Sequence, residues 1–223
     1  MIEAVVFDMD GLMFDTERLA VAAHDAAGEQ LGYGKLGHMV FKAMGLGPAS
    51  VQQVYREALG PDFPFELFKQ KVRDFTDEYC EKNGLPVKPG LYELLDYLKK
   101  NGYRMGVATS TREFSAMKHF ARAKVTEAFD AIVCGDQVSH GKPEPDIYLE
   151  CCRRLGVSPE RGMALEDSPN GLTAAYRAGM KAVMIPDLIQ PDEALQKLLT
   201  AKLDSLAQVP ALLEKMNEPD AGC

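Results

Sequence analysis

Glu3-Ala4-Val5-Val6-Phe7-Asp8-Met9-Asp10-Gly11-Leu12-Met13-Phe14-Asp15-Thr16 is the stretch whose reading decides the fold. Ala4 to Phe7 is an apolar run without polar alternation, the pattern of a strand buried on both faces. It delivers Asp8 and Asp10 to its carboxyl end, where Gly11 lets the backbone turn. A side-chain period of two points both carboxylates the same way. Two bare carboxylates about 4 Å apart repel by roughly 4 kcal/mol at an effective dielectric near 20, and a metal ion relieves that repulsion. The alternative is structural, with Asp10-Gly11 a tight turn and Asp8 a capping group.

The chain around this stretch has 223 residues, enough for one large domain or for a core plus an insert. Its 46% hydrophobic and 26% charged residues are those of an ordinary globular protein. A net charge of −8 disfavours nucleic acid and anionic membrane as partners. An anionic substrate would therefore rely on particular Lys or Arg residues. No apolar run approaches ~18 residues, and the first strand begins almost at Met1, which leaves no room for a signal peptide. Cys80, Cys134, Cys151, Cys152 and Cys223 are odd in number and lack C-x-x-C spacing, so neither a zinc site nor a disulfide framework is expected. The cytoplasm is the expected compartment.

From Thr16 the period turns helical, through Leu19, Ala22, Ala23, Ala26 and Ala27 to Gly32. A second helix carries Val51, Val54, Tyr55, Ala58 and Leu59. A third carries Phe65, Phe68, Val72, Phe75 and Tyr79 and closes near Asn83-Gly84. No strand is expected among them. After Pro86 and Pro89, four short apolar runs appear, Arg104–Thr109, Ala131–Cys134, Met163–Leu165 and Ala182–Ile185, with helical segments between them. Strand–helix alternation argues for an α/β fold, a doubly wound parallel sheet covered by helices. The first strand belongs with the later four. The expected organisation is an α/β core of residues 1–15 and 87–223, with an all-helical domain of residues 16–86 inserted after strand 1. Ligands of such sheets bind beyond the carboxyl ends of the strands, where the strand order switches.

Chemistry-bearing residues follow each run. Thr109-Ser110-Thr111 leads into a helix start, either a phosphate cradle or an N-cap. His140-Gly141-Lys142-Pro143-Glu144-Pro145-Asp146 places one ammonium in a loop restricted by prolines, and His140 reads as a loop residue. Glu166-Asp167-Ser168-Pro169 places two acids where a helix begins, favourable for the helix alone. They also fall at the carboxyl edge of a strand, as Asp8 and Asp10 do. Four acids opposed to one Lys would be protonated or splayed without a cation. Mg²⁺ suits an all-oxygen donor set, and the lack of His or Cys in the acidic pairs themselves argues against zinc.

The string DMDGLMFDTE, with HGKPEPDI and EDSPNG later, resembles the motifs of the haloacid-dehalogenase-like phosphohydrolases, in order and over nearly the whole chain. Its nearest likeness is to the branch holding β-phosphoglucomutases and sugar- or nucleotide-phosphate phosphatases, pseudouridine-5′-phosphatase among them, whose helical insert is a cap domain. The resemblance implies Asp8 as nucleophile, Asp10 as general acid/base, and Thr109, Ser110 and Lys142 on the phosphoryl group. It further implies Asp8, Asp10, Glu166 and Asp167 around Mg²⁺, Asp167 directly and Glu166 in support. The expected reaction is hydrolysis of a small phosphorylated metabolite, a sugar phosphate or nucleoside monophosphate, by a monomer through an aspartyl-phosphate. Two departures weigh against a mutase. Ala20 stands where mutases carry a His four residues beyond the Thr of the first motif, and Met44-Gly45-Leu46-Gly47-Pro48-Ala49 lacks their basic residue. Asp10 argues against a dehalogenase, which needs no leaving-group acid. A non-catalytic phosphometabolite-binding module is the remaining alternative. Phe14, Glu17, Arg18, Met44 and Arg73 are the candidates for substrate contact from the cap, each also readable as plain core or surface.

Overall fold

The computed structural model describes residues 1–43 and 48–218. They form two compact units, one of Met1–Phe14 with Val87–Cys223, the other of Asp15–Pro86. The expected boundary after residue 15 thus falls one residue earlier.

The first unit is a parallel sheet of β1 (Ala4–Phe7), β2 (Arg104–Thr109), β3 (Ala131–Cys134), β4 (Gly162–Glu166), β5 (Lys181–Met184) and β6 (Ala201–Lys202), in the order β3-β2-β1-β4-β5-β6. The chain winds outward from β1 to β3, then crosses back to β4 and winds the other way. The switch point therefore lies at the carboxyl ends of β1 and β4. Every residue of β1 is buried. Ala4 and Val6 pack on one face, with Ile147, Tyr148 and Cys151 of α7 (Asp146–Leu155) and Leu172 and Ala175 of α8 (Pro169–Arg177). On the other face Phe7 meets Phe129 edge-on, and Phe129 meets Phe120 of α6 (Glu113–Ala123). A fourth helix, α5 (Leu91–Lys100), buries Leu91, Leu94, Leu95 and Leu98. Their three- and four-residue spacing is the amphipathic signature that the sequence shows.

β4 and β5 each begin one residue before the expected runs, at Gly162 and Lys181. The two-residue β6 and the helices α9 (Glu193–Gln196) and α10 (Val209–Asn217) are additions. The side chain of Asn217 closes the unit on itself, accepting from the Ile2 amide at 2.6 Å and donating to the Ile2 carbonyl at 3.1 Å.

The second unit is helical, with α1 (Thr16–Gln30), α2 (His38–Ala43), α3 (Pro48–Leu59) and α4 (Phe65–Asn83). Three of these match the expected periodic stretches, and α2, six residues long, is too short to show a period. Tyr55 centres the core, its ring 5.7, 5.2 and 5.3 Å from those of Phe63, Phe65 and Phe68. His24 sets its ring edge-on to Phe68 at 5.2 Å and donates from Nδ1 to the Ala20 carbonyl at 2.7 Å.

Two measurements probe this core. The buried Tyr55 hydroxyl has no hydrogen-bond partner among the described residues, and stranding such a group costs about 1–3 kcal/mol. Tyr55→Phe is expected to raise the stability of the full chain by about 1 kcal/mol in urea unfolding. Burial holds the His24 imidazole below its ordinary 6.5. The unfolded chain therefore takes up the proton first, and the stability His24 contributes, present above pH 6.5, drains away as the pH falls. His24→Gln should flatten the difference in unfolding free energy between pH 7 and pH 5.

Candidate active site

Parallel register assembles the site. Phe7 pairs with Val107 on one side and Leu165 on the other, so Asp8, Ala108 and Glu166 come next at one level of three adjacent strands. Alternation places Glu166 on the same face of β4 as Ala164, the face that α7 covers. Lys142, from the connection between β3 and α7, reaches this level. Its ammonium donates to Asp8 Oδ1 at 2.5 Å, to Glu166 Oε1 at 2.5 Å and to the Ala108 carbonyl at 2.9 Å. Those bonds use all three donors of the group. Its cationic end also lies 5.2 Å from the centre of the Tyr148 ring.

Two glycines make the room. Gly11 has φ +86°, a left-handed conformation, and a Cβ there would collide with the Asp167 carboxylate. A Cβ on Gly171, in the first turn of α8, would strike the carboxylate of Glu166.

Asp8, Glu166 and Asp167 are all buried, and each offers a carboxylate oxygen within 4.8 Å of the others. Burial pushes the Asp8 carboxyl up to about 8, with Lys142 opposing and Glu166 and Asp10 adding to the rise. Burial alone would lower Lys142. The charges of Asp8 and Glu166 outweigh it and hold the ammonium above its ordinary range. Three acids against one buried cation leave a negative cluster, and the all-oxygen donor set fits a divalent ion such as Mg²⁺.

Asp10 is not among the three acids of that cluster; its carboxylate accepts the Thr111 hydroxyl at 2.6 Å. Thr109 is buried at the end of β2, and its hydroxyl accepts the Thr111 amide at 3.1 Å. Ser110 is exposed. His140 pairs with Asp146 at the surface.

The five candidates for the cap fare differently. Phe14 is fully buried, its ring 6.2 Å from His119 and 6.1 Å from Phe120, and is core of the first unit. Arg18 pairs with Asp15 and Arg73 donates to Gln70, both on exposed helix surface. Glu17 is half-buried in the first turn of α1. Met44 lies outside the described residues. Thr111, Tyr148 and Ser168 join the site. Thr111 closes the Thr-Ser-Thr run and Ser168 is an N-cap whose hydroxyl contacts Glu166 at 3.0 Å, whereas Tyr148 carried no sequence signal.

A doubly wound sheet with buried acids and an ammonium at its switch point is suited to holding a divalent cation and an anionic group together. Residues 5–185 match the haloacid dehalogenase-like hydrolases, and the chain belongs to that family. It is 35% identical over 181 residues to the phosphorylated carbohydrates phosphatase of Thermotoga maritima, covering 81% of this chain and 83% of that one. Over 190 residues it is 36% identical to the probable pseudouridine-5′-phosphatase of Drosophila melanogaster, covering 82% and 80%. Among solved structures, CbbY from Rhodobacter sphaeroides in complex with phosphate superposes with a TM-score of 0.74 at 29% identity, covering 94% of this chain and 96% of that one. No helix among the described residues is long and apolar enough to cross a membrane.

Removing the shared cation tests the electrostatics. Lys142→Met leaves Asp8 and Glu166 buried without their counter-ion, a loss of about 3–5 kcal/mol. Urea unfolding in metal-free buffer should show it, and Mg²⁺ should restore part of it.

Proposed function

We propose that this chain, a phosphoric monoester hydrolase, removes phosphate from a small phosphorylated metabolite through an aspartyl-phosphate on Asp8. The observation that carries the reading is the Lys142 ammonium bonded to both Asp8 and Glu166 beside Asp167. An oxyanion nucleophile is thereby held next to fixed positive charge, at a sheet edge where a phosphoryl group can sit.

In the first step an Asp8 oxygen attacks phosphorus, and the bond from phosphorus to the leaving oxygen breaks. Asp10 gives that oxygen a proton. In the second step Asp10 takes a proton from water, which attacks phosphorus, and the bond to Asp8 breaks. Thr111, donating to one Asp10 oxygen at 2.6 Å, holds that carboxylate in place. Lys142 and the Thr109 hydroxyl face the charge on the equatorial oxygens. Asp8 and Asp167 are the residues that would hold Mg²⁺, which when bound supplies the positive charge that keeps Asp8 ionised and offsets that of the phosphoryl group.

The substrate class follows from the relatives, whose names specify phosphorylated carbohydrates and pseudouridine 5′-phosphate. A sugar phosphate or nucleoside monophosphate is the proposed substrate. With p-nitrophenyl phosphate and Mg²⁺, the wild type should release phosphate and lose activity on chelation. Asp8→Asn should abolish turnover without unfolding the chain, and Asp10→Asn should lower kcat by about 10²–10⁴-fold. Asp8→Asn at full activity would refute the mechanism. β-Glucose 1-phosphate should yield free phosphate. Glucose 6-phosphate as product would place the chain with the mutases instead.

A further inference from the structure

Glu166 is an unusual acid for a residue beside a candidate metal site, because its acceptor capacity is already used. Oε1 accepts from Lys142 at 2.5 Å and from the Tyr148 hydroxyl at 2.8 Å. Oε2 accepts from the Ser168 amide at 3.2 Å and the Ser168 hydroxyl at 3.0 Å. A carboxylate has about four lone-pair sites, and four donors fill them. What remains for Glu166 to do is hold Lys142.

Tyr148 shares that oxygen with Lys142, and its ring also stands beside the ammonium. It sits on the stripe of α7 that carries Ile147, Cys151 and Cys152, where a phenylalanine would pack as well. Both the Tyr148 ring and Glu166 are 0% exposed, so no water competes for the hydroxyl. Burial, with Glu166 and Asp8 nearby, keeps the phenol protonated far above its ordinary range, and it acts as a donor throughout. A donor on Oε1 draws charge from the oxygen that competes with Asp8 for Lys142.

We propose that Tyr148 is a positioning residue for phosphoryl transfer: its hydroxyl pins Glu166 and tempers that acid's hold on Lys142, so that the ammonium stays shared with Asp8. Tyr148 touches neither the nucleophile nor the substrate and acts only through Glu166 and Lys142. Without the hydroxyl, Oε1 draws Lys142 toward itself, away from Asp8 and the phosphoryl group. The inference rests on Asp8 being the phosphoryl acceptor.

Tyr148→Phe removes one oxygen and keeps the ring. Using p-nitrophenyl phosphate and saturating Mg²⁺, kcat is expected to fall about tenfold, with KM changed less than about twofold. Mg²⁺ affinity by calorimetry should stay within about twofold, because Glu166 has no free site for the ion. In a Glu166→Gln background the same substitution should cost less than about twofold, since residues acting as a unit are not additive. Should Glu166→Gln not fold, Lys142→Arg serves as the second background with the same expectation. Circular dichroism checks that each variant is folded. An unchanged kcat in Tyr148→Phe overturns the inference, as does an equal loss in both backgrounds. A tenfold loss of Mg²⁺ affinity also overturns it, by making Glu166 a ligand. A wild type inactive on the ester would overturn the phosphatase reading and this inference with it, whereas an active wild type beside an unaffected Tyr148→Phe sinks the inference alone.

Discussion

One buried ammonium ties the molecule's chemistry to its fold. Lys142 donates to a carboxylate that follows β1, to a carbonyl of β2 and to a carboxylate of β4. Its three acceptors thus come from three adjacent strands. A compact cation with three donors meets this geometry. Such an arrangement is poor value for stability, since apolar residues of similar volume commonly do as well or better in a buried site. It is intelligible as a device that holds charge where a reaction needs it.

Register makes the arrangement reproducible. With Phe7 locked between Val107 and Leu165, the next residue on each strand has no choice of level. A slip of one residue would turn Asp8 or Glu166 to the opposite face of the sheet. The approach of the acids then needs space that side chains would occupy, and the backbone supplies it at Gly11 and Gly171. Asp8 and Glu166 are 158 residues apart in the chain yet share one ammonium, because each simply follows its strand to the same edge.

That logic explains what was legible in the sequence. Arg104–Thr109 and Ala131–Cys134 read with their observed bounds, because apolar runs in a doubly covered sheet end abruptly at polar or glycine residues. β4 runs one residue past the expected stretch at each end and β5 is shifted by one residue, because Gly162, Glu166 and Lys181 interrupt the apolar signal. The short α2, α9 and β6 have too few residues for any period to emerge. At the site, residues directly after strands were visible as candidates, since position alone marks them. Tyr148 was not, and neither was the partner of Thr111, whose bond to Asp10 spans 101 residues. Tyr148 falls in an apolar helical stripe, where an aromatic residue reads as core, and only coordinates show where its hydroxyl points.

The separation of Asp8 from Asp10 is the last constraint, and it concerns chemistry more than packing. Side-chain alternation along an ideal strand would have placed both carboxylates in one cluster. Instead β1 ends at Phe7, Gly11 donates its amide to the Phe14 carbonyl at 2.9 Å, and Asp10 is carried into a turn. Asp8 remains buried with Lys142, while Asp10, half-buried, meets a neutral hydroxyl. A nucleophile must stay ionised, and a general acid/base must change protonation within each cycle. Two carboxylates in one environment could not serve both needs, and differing surroundings are how proteins divide such roles. The turn at Gly11 thus does more than admit Asp167, because it also gives Asp10, the acid/base of the proposed mechanism, a neutral hydroxyl as partner while Asp8 keeps the ammonium.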